Sequence, residues 1–285
     1  MKFNLHTHTR FSDGSSDPDD YIKEAVNQGF NTLGFSDHSP VPFENNFAIR
    51  QENLENYIQL ILKLKNTLSR QNANPWLEIL LALEIDYIPG ITDPIDVYRE
   101  TSSFDYFIGS VHLVKNEDSG KLWFIDGPDI KIYDDGLKEI FSGDVRKAVT
   151  AYYRQVQEMI LTQKPDIVGH LDKIKMYNRN RYFSEDEPWY IRLVEETLDL
   201  IAGAGCIVEV NTRGIYKKRS DSLFPGPEVL KRIRSRNIPV TITSDAHKPH
   251  ELSLYFKEAG EILESLDFKY NMLKTAKGWQ EFPIS

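Results

Sequence analysis

Cysteine is nearly absent. Cys206 is the one thiol in 285 residues, which excludes an intrachain disulfide and a cysteine-built zinc site. Any metal site must therefore draw on His, Asp and Glu. Long apolar runs are missing too: W-L-E-I-L-L-A-L-E-I at 76–85 is too short and too charged for the ~18 to 20 apolar residues of a membrane span. The opening M-K-F-N-L-H-T-H-T-R has no apolar stretch of the ~7 to 15 residues that a secretory signal needs. A soluble cytoplasmic protein with no membrane partner is the expectation. Positive charge is in deficit, with 34 Lys and Arg against 43 Asp and Glu for a formal charge of −9. Binding of a long nucleic acid depends on clustered basic residues, so that partner is not expected, whereas a small anionic substrate is compatible.

What is present has globular proportions: 40% apolar and 27% charged residues exclude a disordered, collagenous or membrane-bundle chain. Short apolar runs at Phe3 to Leu5, Thr32 to Phe35, Ile79 to Leu83, Tyr106 to Val111, Asp166 to Val168, Cys206 to Val210 and Ile238 to Thr243 predict seven buried strands. Helical spacing lies between them, clearest at 53–68, where Leu54, Tyr57, Ile58, Ile61, Leu62 and Leu68 form one apolar stripe. D-P-D-D at 17–20 predicts a capped helix start with Pro18 at the first helical position, running to Gly29. Further helices are expected over 144–162, 188–204 and 225–236.

Strands alternating with helices predict a parallel α/β sheet, either closed into a barrel or doubly wound. One domain over 1–285 is the expected organisation, since barrels of about 200 to 250 residues form single domains. The irregular stretch at 115–143, rich in Asp, Gly and Lys, predicts a long excursion after the fourth strand, as a lid or a packed insertion.

The seven histidines are placed tellingly. His6, His8, His38, His112 and His170 sit at or just past predicted strand ends, His247 follows the last strand, and only His250 falls outside the pattern. Acids take corresponding places: Asp13, Asp37, Glu84 and Asp245. Residues two apart share a face of an extended strand, so His6 with His8, and Asp245 with His247, can each offer two ligands to one ion. Parallel strands bring their carboxyl ends to one rim, which gathers nine candidates: His6, His8, Asp13, His38, Glu84, His112, His170, Asp245 and His247. Nine nitrogen and oxygen donors exceed one tetrahedral site and predict two or three divalent ions. The donor set suits zinc, iron or manganese. Cys206, inside an apolar strand, is expected to be a small core residue rather than a nucleophile.

With these motifs in order, H-T-H-T-x-x-S-D-G at 6–14, S-D-H at 36–38, E-I-D at 84–86, G-S-V-H at 109–112, G-H-L-D at 169–172, E-V-N-T at 209–212 and S-D-A-H at 244–247, the sequence resembles the PHP (polymerase and histidinol phosphatase) superfamily. The resemblance implies a distorted seven-stranded (β/α)7 barrel and metal-dependent phosphoester hydrolysis. It implies that His6, His8, Glu84 and Asp245 hold one ion, that a bridging Glu84 with His112 and His170 holds a second, and that Asp13, His38 and His247 hold a third. Within the superfamily the layout is similar to the histidinol-phosphate phosphatases of histidine biosynthesis, which implies L-histidinol phosphate as the small phosphorylated substrate. Nucleotide, oligonucleotide or phosphotyrosine hydrolysis, and a non-catalytic metal-binding scaffold, are the competing expectations.

A metal-bridging hydroxide is the expected nucleophile, with Asp245 and His247 assisting proton transfer to the leaving alkoxide. Arg213, just past the sixth strand, offers a planar fork for phosphate, and Lys173 and Lys175 are the second candidate cations. A surface position is the stronger expectation for Lys173, as for Lys217 and Lys218. Trp123, Phe124 and Asp126 could supply an aromatic wall and an acid for a histidinol group.

Overall fold

The computed structural model describes residues 1–71, 77–101 and 103–284; residue 76 of the apolar run and the last residue of the expected 1–285 domain lie outside them. Short β-branched and aromatic runs make seven parallel strands: β1 (Phe3–Asn4), β2 (Thr32–Phe35), β3 (Glu78–Asp86), β4 (Tyr106–Ser110), β7 (Ile167–Val168), β8 (Ile207–Asn211) and β9 (Val240–Thr243). They pair in the order β1-β2-β3-β4-β7-β8-β9. Each predicted strand is present, with ends shifted by a few residues. The two edges meet just beyond their strands, where Thr7 bridges Ala246 in parallel; His8 N donates to Ala246 O (2.8 Å) and Ala246 N to His6 O (3.1 Å). The sheet is therefore a nearly closed barrel and not the open doubly wound alternative.

Between β4 and β7 the chain makes the hairpin β5 (Leu113–Lys115) and β6 (Leu122–Phe124), then helices α4 (Ile130–Phe141) and α5 (Val145–Gln163). The 115–143 excursion is thus packed. Trp123 is fully buried among Tyr133, Leu137 and Phe141, and its Nε1 donates to Tyr133 O (3.0 Å). Asp129 and Asp144 cap the two helices by accepting from Lys131 N and Lys147 N, both at 2.9 Å.

The other helices are α1 (Pro18–Asn27), α2 (Leu54–Gln71), α3 (Ile95–Thr101), α6 (Pro188–Ala204), α7 (Arg213–Tyr216), α8 (Pro227–Ser235) and α9 (Phe256–Ser265). The α2 stripe buries Tyr57, Ile58 and Ile61 as its spacing requires. Asp17 stands at the start of α1, but its side chain makes no cap bond and pairs with Arg10 instead. Among the described residues no helix is long and apolar enough to cross a membrane.

An apolar layer of Leu5, Leu80, Ala82, Tyr106, Ile108, Ile167 and Ile207 packs with Leu273 of a C-terminal hairpin, β10 (Tyr270–Thr275) and β11 (Gly278–Pro283). Trp279 of that hairpin lies edge-on to Tyr106 and donates to Asp166 (3.3 Å), which precedes β7, so the hairpin covers the amino end of the barrel. Its mixed polar alternation gave no strand expectation. The opposite, carboxyl end is left for the ligands.

Truncating Trp123→Ala should cost about 3–5 kcal/mol of unfolding free energy, as expected for a buried aromatic, measured by urea titration. Cys206 is buried, and burial pushes its thiol up to about 11. Iodoacetamide at pH 8 should leave the native protein unlabelled and modify one thiol once it is unfolded.

Candidate metal centre

All nine predicted ligands come together at the carboxyl end of the barrel. His6 and His8 follow β1, His38 follows β2, Glu84 lies in β3, His112 follows β4, His170 follows β7, and Asp245 and His247 follow β9. Their donor atoms form three groupings, each with mutual separations within 4.8 Å: His6, His8 and Asp245; Glu84, His112 and His170; and His8, Asp13, His38 and His247. His8 belongs to two of them, placing it between the first and third ions of the expected arrangement.

Glu84 stands in the middle and is 1% exposed. Its Oε2 lies 3.1 Å from His6 Nε2, 3.4 Å from His8 Nε2 and 3.2 Å from His38 Nδ1. Its Oε1 lies 3.0 Å from His170 Nε2 and 3.7 Å from His112 Nε2. Across the third group His247 Nε2 meets Asp13 Oδ2 at 3.0 Å, and His38 Nε2 is 3.9 Å from Asp13 Oδ1.

Two strand-borne carboxylates behind the rings decide which nitrogens face inward. Asp86 engages Nδ1 of His38 (2.8 Å) with one oxygen and Nδ1 of His112 with the other. Glu209 takes Nδ1 of His6 at 2.5 Å with Oε1. Its Oε2 accepts from the His170 amide at 2.6 Å. An ionised carboxylate only accepts, so these Nδ1 atoms donate and the Nε2 atoms turn inward, the arrangement that orients metal-bound imidazoles. Asp37 does comparable work on the first loop, accepting from Thr9 N (2.7 Å) and Ser12 Oγ (2.6 Å), so that Asp13 returns over His8. Gly14 permits that return, since a Cβ there would lie 2.1 Å from His8 O.

The donor set fits divalent cations. His6 Nε2 and His8 Nε2 are buried without any hydrogen-bond partner, although carboxylate oxygens lie 3.1–3.4 Å away. Close nitrogen–oxygen approaches that make no hydrogen bond are what a shared cation would join. Burial disfavours charge throughout, yet the opposite charges prevail at key points. Burial lowers His6, but Glu209, Glu84 and Asp245 together hold it well above the ordinary range. His38 is raised to about 10 by Glu84 and Asp86 against its burial. His8, buried beside His247 and His38, falls to about 3. Asp245, buried but facing His6 and Arg213, is held well below its usual range.

Two ligand positions carry left-handed backbone, His170 (φ 22°) and Asp245 (φ 50°), a conformation uncommon outside glycine and concentrated at functional sites.

Above the rings opens a cavity of about 240 Å³, lined by Asp13, His38, Glu84, His112, Asp245 and His247, together with Phe47, Phe124, Asp126, Lys173, Arg213 and Arg219. A larger cavity of about 640 Å³ lies against α9 and the C-terminal hairpin; none of the nine ligands lines it. Arg213 reaches the metal-side cavity, its Nη1 donating to Asp245 O (2.8 Å) and meeting His247 Nδ1 (2.7 Å).

The structure does not bring Lys175 there. Lys175 Nζ is buried against Asp172 (2.6 Å) and Glu185 (3.3 Å), whereas Lys173, two residues earlier in the same 3₁₀ turn, lines the cavity and pairs with Asp126 (2.7 Å). Lys173 is accordingly not at the surface. Lys217 pairs with Glu251, and Lys218 is exposed. Phe124 and Asp126 face the cavity but Trp123 does not, because neighbours along a strand point to opposite faces. Phe124 stacks instead on Phe47, ring centroids 6.0 Å apart.

Sequence reasoning did not assign Asp86, Glu209, Phe47 or Arg219 to the site. For Asp86 the signal was its spacing: two residues beyond Glu84 in one strand, it must share that face. Nothing marked Phe47.

The sequence matches the family profile of the PHP domain over residues 4–213. The histidinol-phosphatase of Bacillus subtilis is 28% identical over 270 residues, covering 88% of this chain and 96% of that protein. Among solved structures, a candidate histidinol phosphatase of Listeria monocytogenes superposes with a TM-score of 0.76 at 19% identity, covering 90% of this chain and 99% of its own. The histidinol phosphate phosphatase of Lactococcus lactis, complexed with zinc, L-histidinol and phosphate, gives 0.70 at 18% identity and 98% of both chains. Both likenesses are of fold.

Asp86→Asn should weaken metal affinity by about 10–100-fold, the usual effect of losing an orienting partner. Competition with a fluorescent chelator would measure it, with circular dichroism unchanged.

Proposed function

The chain belongs to the PHP-domain family, and from that premise we propose that it is a metal-dependent phosphomonoesterase hydrolysing L-histidinol phosphate to L-histidinol and phosphate. The observation that carries the reading is one cavity whose floor is His and carboxylate ligands and whose wall carries Lys173, Arg213 and Arg219. A floor for cations beside a wall of cations suits a phosphate dianion. The name of the Bacillus subtilis relative and the ligands of the Lactococcus lactis neighbour support the choice of alcohol.

His6, His8, Glu84 and Asp245 would hold one divalent ion, Glu84 with His112 and His170 a second, and Asp13, His38 and His247 a third, with His8 adjoining it. Zinc, iron or manganese held there would supply Lewis acidity, lowering the pKa of water from about 15.7 towards 7 and neutralising charge on phosphoryl oxygens.

The chain's own groups do the rest. Arg213 presents its fork to the phosphoryl oxygens, and Lys173 adds a point charge fixed by Asp126. Phe47 and Phe124 wall off water beside the leaving group and offer a face to its imidazole. Asp126 Oδ1, buried without a hydrogen-bond partner, accepts from its ammonium. Asp245 and His247 relay the proton given up by the attacking water to the leaving alkoxide, so that the water oxygen ends on phosphorus and its proton on the alcohol. No thiol or serine nucleophile is required. The reading takes residues 1–285 as a single domain, working in the cytoplasm in amino-acid biosynthesis.

Metal-loaded protein offered L-histidinol phosphate, a nucleoside monophosphate and a phosphotyrosine peptide should release phosphate fastest from the first. Preference for either other substrate would overturn the assignment of the alcohol, and no release from any would favour a metal-binding scaffold. His6→Ala and Glu84→Ala should each lose bound metal, read by elemental analysis, together with activity on the order of 10³-fold or more, a modest part of the enhancement phosphate-ester hydrolysis demands.

A further inference from the structure

We propose that Glu251 is a positioning residue for phosphate recognition, holding the Arg213 guanidinium and the His247 backbone in one frame beside the cavity. The inference rests on the phosphomonoesterase reading. Glu251 ends the short 3₁₀ turn Pro249–Glu251 beyond β9, and its side chain is only 3% exposed. Oε1 accepts from Lys217 Nζ at 2.5 Å. Oε2 accepts from the His247 amide at 3.0 Å and lies 3.9 Å from Arg213 Nη1.

One buried carboxylate thereby ties together two rim segments from different strands. Arg213 and Lys217 begin and follow α7, after β8, while His247 belongs to the loop after β9. Burying a carboxylate is costly unless cations and donors satisfy it, and here both kinds converge on it. The placement also adds negative charge behind the guanidinium. Arg213 shares the cavity wall with Lys173 and Arg219, both of which face Asp126, while Arg213 itself has Asp245 Oδ2 4.0 Å from Nε and Glu251 Oε2 3.9 Å from Nη1. Nη1 is already committed to Asp245 O and His247 Nδ1, so the remaining N–H groups of the fork are left for a phosphate.

A double-mutant cycle tests the idea, using inorganic phosphate as the probe and calorimetry on metal-loaded protein. E251Q should weaken phosphate binding about tenfold and raise KM for L-histidinol phosphate comparably, with a smaller change in kcat and unchanged metal content. In an R213A background the same substitution should add little, because residues acting through one contact are not additive. Equal fold-changes in the two backgrounds, or unchanged phosphate affinity in folded E251Q, would overturn the proposal. If E251Q fails to fold, E251D is measured the same way: it retains the charge but shortens its reach, so phosphate binding should still weaken, and unchanged binding overturns the proposal. The phosphate arm needs no ester hydrolysis, so an inactive parent protein would sink the phosphomonoesterase reading without being mistaken for failure of this one.

Discussion

Glu84 is a carboxylate withdrawn almost completely from water, with both oxygens aimed into the molecule, and such a charge is tolerated only when opposite charge and hydrogen bonds surround it. The barrel meets that demand by bringing imidazoles from the ends of four other strands onto it: His6 and His8, His38, His112 and His170. Those rings must themselves be aimed, and Asp86 and Glu209 aim them from behind. Glu209 is held in turn by Thr243 Oγ1 (2.5 Å) and by the His170 amide. The carboxyl end is thus an ordered polar network laid over an apolar layer, and its substitutions should couple strongly.

Much of this was legible in the sequence because it depends on two periodicities and a rule of convergence. Strands announced themselves as apolar runs, the ligands stood at their ends, and parallel strands place such residues on one rim. What stayed hidden depended on which way a side chain turns after the backbone is set. Lys173 and Lys175 are nearly equivalent in sequence, yet the 3₁₀ turn sends one to the cavity and the other to Asp172. Trp123 and Phe124 are adjacent, and the pleat sends them to opposite faces. The C-terminal hairpin was not anticipated, because strands with mixed polar alternation look little different from loop. Asp17 has the identity of a helix cap but spends its carboxylate on Arg10, a choice no local pattern records.

Strain and rigidity accompany one another at the rim. His170 and Asp245 hold left-handed backbone, which costs of order 1–3 kcal/mol per residue and persists only where surroundings over-determine it. Gly169, next to His170, leaves no room for a side chain, since a Cβ would lie 2.2 Å from Ser110 Oγ. The packed 115–143 insertion carries Phe124 at the end of a hairpin anchored by the buried Trp123, with Asp126 two residues beyond it.

The bridge between Thr7 and Ala246 joins the two ends of the sheet, and the residues flanking it, His6, His8, Asp245 and His247, belong to the centre. A ribosome that has delivered the first two hundred residues has therefore exposed most of the ligands without the pair that completes them. Contacts spanning some 240 positions form late and slowly, so the first and third groupings stay incomplete until the last barrel strand emerges, while Glu84, His112 and His170 of the second are already in the chain. Any fusion that pulls Thr7 from its seat would loosen the barrel seam and the ligands that flank it together.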